Sequence, residues 1–385
     1  MQGPVIGLGP SDVWHMATVE MSLLTKSEVE EPYIQRLIPS LREQAHLHRQ
    51  NARRNTAHSP RVGTYPRDVL CLRPFFTYFF QLNSKTEPAD SMRMRLMLLG
   101  GGNALGQALI RLGAEEDIGF LAPRPPQDGW DAASLTQLLD DTRPDALINL
   151  AYYFDWFQAQ SVSAQRLDIQ ERSVERLAQL CQHHNIVLVQ PSSYRVFDGS
   201  RATAYSEKDE PVPLGARGQA LWRIEQSVRA TCPQHVLVRF GWLLDDSADG
   251  VLGRFLTRAE TEEELLLADD RRGNPTPVDD AARVMISVLK QLDCAAPLWG
   301  TYHYAGHEAT TPLALGQAIL TEARLMRTLA IEAPTAQAHA ASPDAAEEPQ
   351  NAVLACKKIL HTFGIKPRAW RAGLPSLLDR YYRHV

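Results

Sequence analysis

Gly100-Gly101-Gly102-Asn103-Ala104-Leu105-Gly106 follows directly on the apolar run Arg95–Leu99 and precedes a stretch with Leu105, Leu109 and Leu112 on one helical face. Glycines between a strand and a helix let the backbone approach an anion closely. The first N–H groups of the helix then point at that anion. In this context the turn reads as a cradle for the pyrophosphate of a dinucleotide, with a merely structural turn as the competing reading. Read as G-x-x-G-x-x-G, the middle position is Asn103, and asparagine tolerates the left-handed backbone region better than most residues.

Beyond the turn, strand-like and helical patterns alternate. Ile118–Ala122, Ala146–Leu150, Ile186–Val189 and His235–Phe240 read as strands. Ser134–Thr142, Ser163–His184 and Ala220–Thr231 read as helices. Such alternation demands right-handed crossovers, and so predicts an α/β protein with a doubly wound parallel sheet covered on both faces. The last third is more mixed. Its Ala-, Pro- and Glu-rich stretch 333–350 reads as a long loop, and Gly373–Tyr382 as a closing helix.

Composition narrows the partners. The 385 residues hold 40 Lys+Arg and 45 Asp+Glu, a formal net charge of −5, so neither nucleic acid nor an anionic membrane surface is the expected partner. No apolar run approaches the ~18 residues of a membrane span. Cys71, Cys181, Cys232, Cys294 and Cys356 are dispersed without a CxxC pair. That usage predicts a reduced, cytoplasmic setting with neither a disulfide framework nor a metal centre. Cys181, His183 and His184 fall within one turn, but adjacent residues do not share a helix face, so a solvated polar patch is expected there. Residues 1–91 carry few sustained patterns beyond one helical stretch at Glu30–Gln50. They read as a disordered extension or the product of an upstream start, with a partner-binding arm as the functional alternative, and Met92, Met94 and Met97 stand where a folded domain would begin.

The crevice at the strand ends supplies the remaining candidates. No acidic residue follows the second strand where a ribose hydroxyl of NAD would be held. Arg124 stands there instead, either as the partner of a 2′-phosphate, which favours NADP over NAD, or as a solvated loop residue. Asp128 or Asp131 is placed to touch the adenine, and Asn149, Ala151 and Tyr152 to line the crevice beyond the third strand.

Several motifs occur in one order: Gly100–Gly106, Arg143–Asn149, Ser192–Gly199, Tyr205–Pro211, Arg239–Trp242, Asp269–Asp280, Gly300–His303 and Leu354–Leu374. Their succession resembles the extended short-chain dehydrogenase/reductases, in particular the dTDP-4-dehydrorhamnose reductase branch, from about Met94 to Tyr381. The resemblance implies a Rossmann-like NAD(P)-binding domain over 92–245 with a return segment near 273–292. A smaller C-terminal substrate-binding domain, mainly 246–385, would close over a nucleotide-sugar.

It also implies a catalytic set of a Ser or Thr, a Tyr, and a Lys four residues after the Tyr. In such a set the Tyr protonates the carbonyl, the Lys holds the nicotinamide ribose and lowers the Tyr pKa, and the hydroxyl steadies the oxyanion. Ser193 matches the hydroxyl position. Within Pro213–Leu221, however, Arg217 stands where the Tyr is expected and Leu221 where the Lys is expected. A guanidinium stays protonated and leucine can neither bind a ribose nor tune a neighbour. Two readings follow: a non-catalytic member that binds NAD(P) and a nucleotide-sugar, or a working reductase or epimerase with a relocated donor such as Tyr152 or Tyr153. For the first, the family offers the precedent of the regulatory subunit of methionine adenosyltransferase. A homodimer or a regulatory partner protein is compatible with it.

Overall fold

The computed structural model describes residues 94–126, 130–158, 161–262, 264–292 and 298–384, all within one compact unit. The helix expected at 30–50, the 1–91 extension and Asp128 lie outside these residues.

Strand β1 (Leu96–Leu99) is buried throughout and leads through the glycine turn into α1 (Ala104–Glu115). Next come β2 (Phe120–Leu121), α2 (Ala132–Thr142) and β3 (Ala146–Asn149). One π-helical turn, Phe154–Gln158, precedes α3 (Ala164–His184). The chain then forms β4 (Val187–Ser193), α4 (Ala216–Thr231) and β5 (His235–Phe240). After these follow β6 (Trp242–Leu244), α5 (Val251–Thr261), β7 (Leu266–Ala268), β8 (Arg272–Gly273) and β9 (Pro275–Pro277). The last elements are α6 (Val278–Leu292), β10 (Gly300–Tyr304), α7 (Pro312–Ala323), β11 (Thr335–Gln337), β12 (Asn351–Ala352), α8 (Lys357–Phe363) and α9 (Leu374–His384).

Among the described residues the central sheet runs β10-β5-β4-β3-β1-β2, with every pairing parallel. The near-continuous apolar strands fit this arrangement, because helices cover both faces and leave no solvent side. On these faces α3 packs against α4, and α1 against α6. The fold is thus the expected Rossmann-like α/β sheet. The chain passes from β1 outward to β2 and returns to β3 on the other side of β1. That reversal opens a crevice at the carboxyl ends of β1 and β3. The short pairs β6–β9, β7–β11 and β8–β12 lie outside the main sheet.

Three of the boundaries that differ from the sequence expectation do so for a clear local reason. Ile118 is not in β2: its N–H donates to the Gly113 carbonyl (2.8 Å), and Asp117 takes φ +59°, so both belong to the end of α1. Strand β4 continues four residues past Val189, through Pro191. Beyond Val189 it has lost β3 as a neighbour and pairs with β5 alone, which is where a residue without an N–H is tolerated. Helix α4 starts at Ala216 rather than Ala220, with Gly215 as its cap. The 333–350 stretch is mostly irregular, as expected, but includes β11 and a 3-10 turn at His339–Ala341.

Candidate functional site

The glycine turn owes its shape to contacts that side chains would prevent. Gly100 has φ +82°, and a Cβ there would fall 2.3 Å from the Leu150 carbonyl oxygen. At Gly106 a Cβ would lie 2.5 Å from the Gly100 carbonyl, so helix and turn are pressed together. Around Gly102 a Cβ would meet nothing within 4 Å, which leaves one side of the turn open for a ligand.

Asn103 plays a different part from the one expected. Its φ of −85° and ψ of 170° are extended, and the left-handed position is taken by Gly100. The Asn103 side chain caps α1 by accepting from Gly106 N (2.9 Å), while its Nδ2 donates to the Leu150 carbonyl (2.9 Å). One amide therefore ties the β1 turn to the β3 turn across the crevice. Ala104 and Leu105 form the first turn of α1, with Leu105 buried. Gly100→Ala is expected to destabilise the protein by about 2 kcal/mol, from the left-handed backbone and the carbonyl clash together. Urea denaturation measures this, and an unchanged midpoint would contradict the account of the turn.

Residues around the crevice have distinct situations. Arg124 is exposed beyond β2, and Ala151 and Tyr152 are half-buried past β3. Asn149 is buried and engaged on both sides: Nδ2 donates to Gln190 (2.8 Å), and Oδ1 accepts from Ala151 N (3.2 Å). Asp131 caps α2 through Ser134. Burial pushes the Tyr152 phenol up. Tyr153 is 2 % exposed and donates to Asp245 Oδ2 (2.5 Å), a carboxyl that burial itself pushes up. Cys181, expected in a solvated patch, is instead buried on α3, while His184 reaches Asp140 (3.5 Å).

The motif residues at the end of β4 lead into two buried polar networks. Ser193 is buried and accepts from Arg195 N (3.4 Å), capping the 3-10 turn Tyr194–Val196. Its neighbour Ser192 donates to Glu225 Oε1 (2.5 Å) on α4. Glu225 also receives Arg239 through both Nε (2.8 Å) and Nη2 (2.6 Å), and Arg229 (2.6 Å). Burial would raise the Glu225 carboxyl, but the guanidiniums outweigh it and hold the group below the usual carboxylate range. Arg239 Nη1 reaches His303 Nε2 (3.3 Å), so that nitrogen is the acceptor and Nδ1–H faces the Tyr205 carbonyl (3.1 Å). Phe197 stacks on Tyr205, with Arg239 over its ring (5.1 Å).

The second network gathers residues far apart in sequence. Glu348 Oε1 accepts from Arg195 Nε (2.6 Å), and Oε2 accepts from Tyr194 OH (2.7 Å) and from Arg271 Nη2. Arg271 lies over the Trp242 ring (5.1 Å), and Arg195 Nη1 donates to the Trp156 carbonyl (3.1 Å). Burial opposes ionisation of Glu348, yet Arg195 and Arg271 hold its carboxyl at about 2. Arg217, in the first turn of α4, is 5 % exposed and borders this network. Burial and the neighbouring Arg195 pull it below the usual arginine range, against Glu348. One turn further along, Leu221 is fully buried in the apolar core. Ser193 and Arg217 are thus brought to one region, together with Tyr194, Arg195, Arg271 and Glu348. Tyr194 and Arg195 stand inside a motif already singled out; nothing in the sequence around Glu348 marks it.

Among the described residues no helix is long and apolar enough to cross a membrane, and no group of three His, Cys, Asp or Glu could hold a metal.

Comparison with known proteins gives a consistent result. The family model for the RmlD substrate binding domain matches residues 94–383. A dTDP-4-dehydrorhamnose reductase of Aggregatibacter actinomycetemcomitans is 26% identical over 289 residues, covering 74% of this chain and 98% of the relative. The enzyme of the same name from Escherichia coli K12 is 25% identical over 245 residues, 62% of this chain and 81% of its own. Among solved structures, a dTDP-4-dehydrorhamnose reductase from Clostridium acetobutylicum superposes with a TM-score of 0.65 at 21% identity, covering 74% of this chain and 99% of that one. One from Bacillus anthracis in complex with NADP gives 0.63 at 21% identity, covering 76% and 99%.

Proposed function

The chain belongs to the RmlD substrate binding domain family, and from that premise we propose that it binds NADP or NAD together with a nucleotide-linked sugar, without performing the family's reduction by a Tyr–Lys route. The residues fit a dinucleotide: three glycines sit where a Cβ would collide, and Gly102 leaves the turn open on one side. Gly100–Gly106 would hold the pyrophosphate at the start of α1, and exposed Arg124 a 2′-phosphate, in line with the NADP bound by the Bacillus anthracis relative. Ala151 and Tyr152 would border the nicotinamide half. When bound, such a cofactor supplies a hydride. Residues after 246 would mainly cover the sugar.

The observation that carries the non-catalytic part is the pair of side chains at the family's acid and lysine positions. Arg217 is a buried guanidinium beside Glu348, and Leu221 is core. The guanidinium stays protonated and is a poor proton donor, and leucine can neither hold a ribose nor tune a neighbour, while a general acid alone is worth about 10²–10⁴-fold. A relocated donor is a weaker reading, because the Tyr153 hydroxyl is already given to Asp245. On this proposal the protein acts through binding, on a partner protein or a second copy of itself.

With the full chain, NADPH is expected to raise the melting temperature in a saturable way. Turnover of a dTDP-4-keto-6-deoxy sugar should fall at least about 10²-fold below that of the Escherichia coli relative assayed alongside. Comparable turnover would overturn the non-catalytic reading and direct attention to Tyr152. The absence of any shift with NADPH or NADH would remove the cofactor as well.

A further inference from the structure

Glu348 is a buried carboxylate on a mostly exposed, turn-rich segment, in which His339 and Pro349 are also buried. Residues 338–350 join β11 to β12 and have no strand ladder of their own. They are anchored by His339, whose N–H donates to Asp270 (2.6 Å) and whose Nε2 meets the Glu348 carbonyl (2.9 Å). The segment lies on two glycines of the motif-bearing loops. A Cβ at Gly199 would stand 2.6 Å from Gln350 N, and one at Gly215 would stand 2.8 Å from Glu347 Cβ. A strap with few regular hydrogen bonds belongs to the low-stability end of a structure, where local opening is cheapest.

Three guanidiniums face the strap, and against them it sets one buried carboxylate, Glu348, and the exposed Asp344, which lies 3.6 Å from Arg271 Nη1. Tyr194 and Arg271 converge on one oxygen and Arg195 on the other, and Arg217 flanks them. Arg271 Nε is buried with no hydrogen-bond partner. Stability alone is a poor reason for such a cluster, since well-packed apolar side chains commonly do as well or better in place of a buried ion pair. Converging guanidiniums and a phenol are, in contrast, a strong receptor for a planar or tetrahedral oxyanion. The cluster adjoins Ser193 at the carboxyl end of β4, the side of a parallel sheet on which ligands are taken.

We propose that Tyr194, Arg195, Arg217 and Arg271 form an oxyanion site for the carboxylate or phosphoryl group of a small-molecule ligand, and that Glu348 fills it as an internal competitor carried on the 338–350 strap. The ligand enters only when the strap lifts, so its apparent affinity is reduced by the fraction of molecules already open. The inference goes beyond the cofactor reading and stands independently of it.

The test measures binding of inorganic pyrophosphate and, separately, of glucuronate to the full chain by calorimetry. Glu348→Ala and Glu348→Gln are expected to bind one or both at least 10-fold more tightly than the unmodified protein. The probe that gains more identifies phosphoryl or carboxylate as the natural group. Adding Arg271→Met should erase the gain. Adding Gly100→Ala should leave it, which separates this site from the glycine turn. In the unmodified protein, amide exchange over 342–350 should quicken as pyrophosphate or glucuronate is raised to saturation. That measurement decides the matter if the Glu348 variants do not fold. Equal affinities, a gain indifferent to Arg271→Met, or exchange over 342–350 unmoved by both anions would each overturn the proposal.

Discussion

Arg239→Met is expected to lower the unfolding free energy by about 3–5 kcal/mol, the usual cost of removing one partner from a buried ion pair. Arg239 is 1 % exposed on β5, and its two-pronged contact is the main compensation for the fully buried Glu225. Without it, Glu225 keeps Ser192 and Arg229, and the Arg229 side chain is about one-third exposed. His303 loses its Nε2 donor and Phe197 the cation over its ring at the same time. Arg229→Ala should cost less, about 1–2 kcal/mol, because Arg239 still holds Glu225 through two hydrogen bonds. Urea denaturation of both variants and of Glu225→Leu/Arg239→Met checks the argument. The double variant should lose less than the single Arg239 variant, since no orphaned carboxylate remains. A loss under about 1 kcal/mol for Arg239→Met would contradict the burial argument.

Acid should destabilise the protein in two successive windows. Burial and Arg239 hold His303 neutral, well below the usual histidine range, whereas the unfolded chain takes up that proton near 6.5. Its contribution is complete above about pH 6.5 and declines as the pH falls below that value. Glu348, held at about 2 against an ordinary value of 4.5, contributes fully above about pH 4.5 and loses that contribution as the pH falls toward 2. The difference corresponds to about 3 kcal/mol. Glu225 acts in the same direction, so Glu348→Gln should flatten the lower window without erasing it, and leave the upper one unchanged. Denaturation midpoints at pH 7.5, 5.5 and 3 distinguish these outcomes. An identical acid slope in Glu348→Gln would refute the assignment.

The parallel sheet is legible in the sequence because its strands are buried on both faces and write themselves as apolar runs, Leu96–Leu99 and Val236–Val238 most clearly. Ends that depend on a neighbour are not legible. Pro191 argues against a strand until β3 is seen to stop at the level of Val189. Ala216 is invisible as a helix start because Pro213-Leu-Gly-Ala-Arg-Gly has the composition of a turn. The glycine turn can be read locally, since Gly106 answers to Gly100, Gly100 to the adjoining β3 loop and Gly101 to Ala122 just past β2. Asn103 shows the limit of that reading: its position is significant, but it caps α1 and bridges to Leu150 instead of adopting the left-handed conformation. Glu348 is the opposite case. A single acid in an Ala- and Pro-rich stretch acquires meaning only through Tyr194, Arg195 and Arg271, and no periodicity points from one to the others.

The separation between those partners has a temporal consequence. Glu348 follows Arg195 by 153 residues and Arg271 by 77. All six strands of the central sheet precede it in the chain. During synthesis the sheet can therefore pair while three arginines still wait for their counter-ion, and loop closure over that distance comes late. A growing chain passes through an interval in which this cluster of guanidiniums stands uncovered. Small anions of the surrounding solution are then the natural occupants, until the strap arrives to displace them.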